Sequence, residues 1–385
     1  MIDARFIMLP ARQPRVDSIR PQVLPFPLRT RQVLPVRWTA DDFHAIVRGE
    51  RRGVGATLAR AGLWWMRWPI GLGVAVRNRA FDRGWSKATR VPVPVVCVGN
   101  LTLGGTGKTP CVEYVARFYR GLDKQVAILS RGYGVNAGPN DEAMVLEENL
   151  PDVPHLQGRD RVALAMTAVE ELESEVLVLD DGFQHRRLAR DVDIVLVDAS
   201  RPIDREYLFP RGLLREPVSS LKRAGAIVLT RVDQVEQDSV DRQREWLAKR
   251  FPQTMIATAI HAPVELRSMA GPESVTHLRG RTVGAFCGLG NPGAFRRTLD
   301  DLGANVTEFR TYPDHHNYVR ADVESLREWA AKLPAGAEIA TTQKDQVKLQ
   351  LAELAGRPVW AVRIGLQFRT GEAELQARLV SAIGA

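Results

Sequence analysis

The run Thr102-Leu103-Gly104-Gly105-Thr106-Gly107-Lys108-Thr109 constrains this chain more than any other stretch. It follows the short β-branched segment VPVVCVGN and precedes a helix expected from Pro110 to Arg120. Strand, glycine-rich turn and helix in that order are the context in which a loop wraps phosphate. Backbone N–H groups of the turn surround the phosphate oxygens, and the dipole of the following helix adds to them. In such a loop Lys108 reaches the β- and γ-phosphates and Thr109 holds Mg²⁺, so the cofactor pair implied is ATP and Mg²⁺. Thr102 stands where the usual G-x₄-GK[ST] pattern has its first glycine.

A loop of this kind needs a parallel sheet behind it, and the pattern from residue 91 supplies one. QVAILS, EVLVLDDG, DIVLVDAS and GAIVLTRVD read as further strands, separated by helical stretches such as VALAMTAVEELES. Alternating strands and helices predict βαβ units, and continuous apolar strands predict a sheet covered on both faces. The alternation pauses at MIATAIHAPVELRSMAGPESVTHLRG and resumes with TVGAFCGLG, NVTEFRTY, EIATTQKD and PVWAVRIGL. The fold class expected is α/β: a phosphate-loop NTPase-type, doubly wound, mainly parallel sheet. A second, smaller α/β domain and an N-terminal membrane-surface helix complete it. The domains expected are a disordered extension over 1–40, membrane-associating helices over 41–90 and a kinase core over 91–255. A linker over 256–280 and a smaller domain over 281–385 follow.

The net charge of +8 is unevenly distributed. Residues 1–90 hold 17 Lys and Arg against 6 Asp and Glu, leaving the body with a slight negative excess. Such a basic segment attracts anionic lipid head groups or nucleic acid. The body lacks the basic-aromatic interleaving of a nucleic-acid binder, so nucleic acid is not expected as a partner. The most apolar stretch, Ala61 to Val76, is interrupted by Arg67 and Pro69 and is short of the about 20 residues a spanning helix needs. Trp64, Trp65 and Trp68 with flanking arginines suit a helix lying in an anionic membrane surface, or else a buried hairpin. Residues 1–40 lack the apolar core and cleavage site of a secretory signal. Three widely spaced cysteines form no disulfide framework or zinc pattern, which fits a reducing cytoplasm.

Other motifs fall at expected strand ends. Asp180-Asp181-Gly182 closes an apolar strand, where a second acidic site for Mg²⁺ belongs, and Gln184 and His185 follow at once. Ser130-Arg131-Gly132-Tyr133-Gly134 sets an Arg and a Tyr on a flexible loop, for phosphate or sugar contact or as a plain turn. Asn140-Asp141-Glu142 is a helix start whose acids can also act as a base toward a hydroxyl. The basic loop carrying Arg211 and Arg215 either binds an acidic substrate or connects elements. The pair His315-His316 lacks the partner spacing of a metal site, and Thr341-Thr342-Gln343-Lys344-Asp345 puts a Lys and an Asp at a sheet edge.

Together, VPVPVVCVGNLTLGGTGKTP, SRGYG, NDEA, LDDGFQHRRLARDVDIVLVDAS, FPRGLLREP, DHH and TTQKDQVKL resemble the tetraacyldisaccharide 4'-kinase family, in that family's order, from about residue 41 to 370. NDE stands where GDE is commoner. The resemblance implies phosphorylation, by ATP, of the 4'-hydroxyl of the lipid A disaccharide 1-phosphate precursor. It implies a peripheral place on the cytoplasmic face of the bacterial inner membrane, with no obligate protein partner evident. It implies that Thr102 to Thr109 bind ATP and that Asp141, paired with His315, is the base. Glu142, Asp180 and Asp181 would organise metal or nucleotide. The rival is a phosphate-loop GTPase or ATPase of the partitioning or metal-insertion kind. GGxGKT follows that layout, and Thr230-Arg231-Val232-Asp233 resembles a guanine-reading turn.

Overall fold

The computed structural model describes residues 40–47, 49–132 and 141–384. Two helices come first, α1 (Ala40–Val47) and α2 (Val54–Asp82). Then β1 (Val95–Asn100), α3 (Lys108–Arg120), β2 (Val126–Ser130), α4 (Asp141–Asn149), β3 (His155–Gln157), α5 (Arg161–Glu170) and β4 (Val176–Asp180) alternate. β5 (Val192–Asp198), β6 (Ala226–Thr230), α6 (Gln237–Arg250), β7 (Met255–Ser268) and β8 (Gly271–Glu273) follow. The last part comprises β9 (Thr282–Cys287), α7 (Pro292–Asp301), β10 (Asn305–Thr311), α8 (Arg320–Ala331) and β11 (Glu338–Thr342). It ends with α9 (Gln343–Leu349), β12 (Glu353–Leu354), β13 (Arg357–Thr370) and α10 (Glu372–Ile383).

The principal strands form one continuous sheet in the order β10-β9-β11-β13-β7-β6-β5-β1-β4-β2-β3. From β7 to β3 all neighbours are parallel, as are those from β10 to β13. The two sets meet where β7 and β13 pair antiparallel. The register shows how they face. β7 pairs with β6 only from Met255 to Thr258, then pairs with β13 from Thr258 to Arg267. β13 pairs with β11 only from Val359 to Val362 and then runs back along β7 to Thr370. Each strand therefore leaves its own parallel set beyond that set's carboxyl edge. The carboxyl edges of the two sets consequently look toward each other across a two-stranded ribbon. Parallel α/β sheets present ligand-binding loops at that edge, so both halves aim their loops into one cleft.

The stretch expected as an irregular linker over 256–280 is thus largely strand, a 14-residue one with β13 as its equally long partner. The chain also crosses back. Leu375, Leu379 and Ala382 of α10 join the core built on β1, β2, β4, β5, β6 and α3, and the Tyr119 hydroxyl donates to the Leu379 carbonyl at 2.8 Å. A separate core around Val283, Ala285, Leu299 and Ala340 supports the second set of strands.

α2 behaves differently at its two ends. Trp65 (70% exposed), Trp68 (57%) and Leu72 (66%) stand out from its middle, whereas Asn78 is buried. The carboxyl-terminal end is held by Glu216, which accepts from Arg77, Asn78 and Arg223. Arg186 adds bonds to the Asn78 carbonyl at 2.9 Å and to Asp82 at 2.8 Å. A helix at this position was expected. Among the described residues no helix is long and apolar enough to cross a membrane.

Candidate active site

The phosphate loop is shaped by its contacts. Gly107 caps α3 with φ 81°, a left-handed conformation that glycine adopts without strain. A Cβ there would also fall 2.0 Å from the ring of His261 on β7, so only glycine fits. Asn100, at the end of β1, donates to the Thr106 hydroxyl at 2.9 Å. Thr230 bonds the Thr106 carbonyl at 3.3 Å and Arg231 the Gly105 carbonyl at 2.9 Å. Arg231 also pairs with Asp198. The turn that resembled a guanine reader is therefore engaged in bracing the loop from behind.

Lys108, the first residue of α3, lies 3.6 Å from Asp181, which Arg215 also holds with bonds of 3.0 and 2.8 Å. Burial favours protonation of Asp181, but Lys108 and Arg215 outweigh it and hold the carboxyl below its usual range. Asp180 lies deeper, at 8% exposure, and its Oδ1 accepts no hydrogen bond among the described residues. Its pKa is pushed up to about 7 by burial and by the nearby Glu142 carboxylate, against the pull of Lys108. The phosphate loop, the Asp180-Asp181 strand end and the start of α4 thus form one electrostatic unit.

The second half of the chain closes the other side. His315 Nδ1 lies 3.0 and 2.9 Å from the two carboxylate oxygens of Asp141. Asp141 is buried at 6% and His315 is 55% exposed, so the imidazole is the outward member of the pair. His315 sits at φ 56°, an uncommon conformation for a residue with a side chain. Its hydrogen bond to Asp141 raises the imidazole pKa against a smaller opposing effect of burial. Burial acts to raise the Asp141 pKa, and the bond from His315 with the charges of Lys344 and Lys348 brings it below the ordinary value. Lys344 bonds Glu142 at 2.9 Å, and Lys348 lies 3.6 Å from Asp141.

Sequence reasoning left these two lysines out of the site. The available signal was their spacing, four residues apart on one helix face. His316, by contrast, turns away to stack on Tyr312 and bond Asp322 at 2.9 Å. Asp345 is likewise internal, accepting from Gly288 N, the Tyr318 hydroxyl and the Thr342 hydroxyl.

The expected substrate residues divide. Arg215 lies in the site through Asp181, and Gln184 bonds the Asn100 carbonyl at 2.8 Å beside the loop. His185 is held neutral, its pKa lowered to about 4 by burial and by Arg161, Arg187 and Arg190. Arg131 is exposed, near enough to Arg161 for their charges to interact. Arg211 donates to the Val47 carbonyl at 3.1 Å and lies over the Tyr207 ring, bonding the loop to α1. Tyr133 lies outside the described residues. Among the described residues, no three His, Cys, Asp or Glu side chains are grouped to enclose a metal ion.

Comparison with known proteins gives one answer. The family model for tetraacyldisaccharide-1-P 4'-kinase matches residues 59–384. A tetraacyldisaccharide 4'-kinase of Anaeromyxobacter dehalogenans (strain 2CP-C) is 41% identical over 86% of this chain and 92% of its own. That of Syntrophus aciditrophicus is 37% identical over 77% of this chain and 86% of its own. The crystal structure of LpxK from Aquifex aeolicus, an "apo" form in complex with ATP, matches with a TM-score of 0.69 and 31% identity. It covers 84% of this chain and 99% of that one.

Proposed function

The chain belongs to the tetraacyldisaccharide 4'-kinase family, and from that premise we propose how its residues divide the transfer of a phosphoryl group from ATP to the 4'-hydroxyl of a lipid A disaccharide 1-phosphate. The observation that carries the reading is the Asp141–His315 pair, assembled from opposite halves of the cleft beside the phosphate loop. A sugar hydroxyl is a weak nucleophile, and a group that takes its proton late in the transfer speeds the reaction. Asp141 alone is a poor base, because its carboxyl is held below the ordinary value. Joined to His315, it accepts the leaving proton as part of one unit whose exposed face is the imidazole.

The N–H groups of Thr102 to Thr109 would hold the phosphates of ATP, and Lys108, which lies beside Asp181, would supply the cation for the transferring phosphoryl oxygens. The oxygen donors of Thr109, Asp180, Asp181 and Glu142 suit a hard cation such as Mg²⁺. Asp180 has the oxygen best able to take it, because Asp181 is engaged by Arg215 and Glu142 by Lys344. Mg²⁺ commonly binds through one or two carboxylates and the substrate phosphates, which fits a site without an all-protein cage. When bound it neutralises charge on the β- and γ-phosphate oxygens. Arg131, Gln184, His185 and Arg215 line the acceptor side. The exposed tryptophans and basic residues of α2 attach the enzyme to the anionic cytoplasmic face of the bacterial inner membrane. The two parallel sets of strands serve as two lobes, hinged at the β7/β13 ribbon.

The test uses γ-labelled ATP, a tetraacyldisaccharide 1-phosphate and the Asp141→Asn and His315→Ala variants. Each single change is expected to lower kcat by about 10²–10⁴ while ATP still binds. The double variant is expected to fall little below the poorer single, because groups acting as one unit are non-additive. Multiplicative losses would separate the two roles, and wild-type turnover by Asp141→Asn would remove it as base.

A further inference from the structure

α4 and α9 belong to opposite halves of the cleft. α4 follows β2 and begins with Asp141 and Glu142, while α9 follows β11 and carries Lys344 and Lys348. The helices lie antiparallel, as their contacts show. Gln343, at the start of α9, meets Asn149 at the end of α4, and Lys348, farther along α9, meets Asp141 at the start of α4. The Gln343–Asn149 contact is unlike the others because it involves no charge on either partner. The two amides exchange hydrogen bonds, Gln343 Nε2 to Asn149 Oδ1 at 2.7 Å and Asn149 Nδ2 to Gln343 Oε1 at 3.3 Å. Both residues are buried, at 5% and 4% exposure.

The exchange is tied to the rest of the machine on both sides. Asn149 Nδ2 also donates to Glu113 at 2.9 Å, and Glu113 lies on α3, the helix that starts with Lys108. Glu113 in turn accepts from Arg363 on β13 and from Arg117 at 2.7 Å. Arg117 returns to the Asn149 carbonyl at 2.7 Å. Gln343 Nε2 further bonds Glu148. One polar cluster, buried at Glu113, Asn149 and Gln343, therefore joins the phosphate-loop helix, the helix bearing the proposed base and the helix bearing the lysines that face it. It lies at the end of α4 opposite the chemistry, so it touches no reacting atom.

We propose that Gln343 and Asn149 are positioning residues, whose reciprocal amide bonds fix the register of α9 against α4 and so set Asp141 relative to His315, Lys348 and the phosphate loop. This rests on the Asp141–His315 reading above. A paired amide suits the task because its length and direction allow one register only. A shift of one helix along the other would take the donors from two buried amide oxygens, Asn149 Oδ1 and Gln343 Oε1, and buried acceptors without a donor are costly. Misplacement of reacting groups by about 1 Å is enough to cost about 10²-fold in rate.

The experiment exchanges the amides. Gln343→Asn and Asn149→Gln each make the pair one methylene too short or too long, and the double exchange restores its total length. Steady-state kinetics with ATP and a tetraacyldisaccharide 1-phosphate are measured per folded molecule, alongside Gln343→Met. Each single variant is expected to lose about 10–10²-fold in kcat, with KM for ATP within about twofold because the loop is untouched. The double exchange is expected to recover most of the loss. Losses that multiply in the double exchange, or kcat and KM for ATP changing together, would overturn the proposal. So would single variants with wild-type kcat. Should Gln343→Met not fold, the exchange pair reads the same question. Asp141→Asn run in parallel separates the failures. If it is inactive while the amide variants are normal, only the positioning role falls; if it is active, the base assignment falls.

Discussion

Glu216 is the side chain on which the position of α2 depends, and its removal has a calculable effect. It is fully buried, and it accepts from Asn78 at 3.0 Å and Arg223 at 2.9 Å, as well as from Arg77. Burial acts to raise its pKa, yet Arg223, Ser220 and Asn78 outweigh this and hold the carboxyl below the 4.5 of an ordinary glutamate. Arg77 is 43% exposed, so its bond is screened and contributes little. Arg223 is only 11% exposed and Asn78 is buried. Glu216→Ala strands both, and loss of one partner from a buried pair costs about 3–5 kcal/mol. Glu216→Gln keeps one acceptor and loses the charge, for about 2–3 kcal/mol. Urea unfolding followed by tryptophan fluorescence and circular dichroism measures the loss, and hydrogen exchange reports whether residues 74–82 open first. The pH dependence supplies an internal check. A depressed glutamate pKa adds stability above 4.5 that disappears as pH falls through the folded-state value. The gap between wild type and Glu216→Gln should therefore shrink at pH 3. A loss below about 0.5 kcal/mol for Glu216→Ala, the range of ordinary surface changes, would refute the anchoring role.

Lys108→Ala should lower kcat by about 10²–10³, the cost of one contact to transferring oxygens, and near-normal turnover would show that this loop is not the active site. Trp65→Ser with Trp68→Ser should weaken binding to anionic vesicles without lowering the melting temperature, since both rings are exposed; unchanged flotation would reject membrane contact through this face. These substitutions spare Asn78, which a deletion through residue 80 would remove. His155, His185 and His261 have pKa values lowered to about 4, chiefly by burial. The unfolded chain then binds more protons than the folded one below pH 6.5, so stability should fall from about pH 6.5 to 4, by at most about 3 kcal/mol per histidine. A flat urea midpoint between pH 7 and 5 would count against neutral burial.

Much of this architecture is written locally. The strand before Thr102 and the helix after Lys108 follow from β-branched and glycine patterns, and Asp180 is legible because its strand is continuous and apolar. Asp141 and His315 were paired through resemblance to a family, since no local pattern relates residues 174 positions apart. The β7/β13 ribbon was hidden. Its strand contains Pro263 and Glu265 and shows no clean alternation, because different stretches of it pair with β6 and with β13. The bond from Arg211 to the Val47 carbonyl was also hidden, because a basic loop carries no mark of where each guanidinium points. Gln343 and Asn149 read as ordinary polar residues, because burial and partnership are properties of two helices brought together from distant parts of the chain.

The return of α10 to the first core bears on how the protein is made. The strand carrying the phosphate loop emerges from the ribosome early, but Leu375, Leu379 and Ala382 fill that lobe's interior from the other end of the chain. The second lobe sits between them in sequence, entered by β7 and left by β13. A nascent chain lacking α10 has the nucleotide-binding sequence without the interior that supports it. The core of the first lobe is therefore complete only once α10 is made, after every strand of the second lobe. A ribosome stalled between β13 and α10 would hold a chain with every strand of the inserted lobe but with the core of the surrounding lobe still lacking α10.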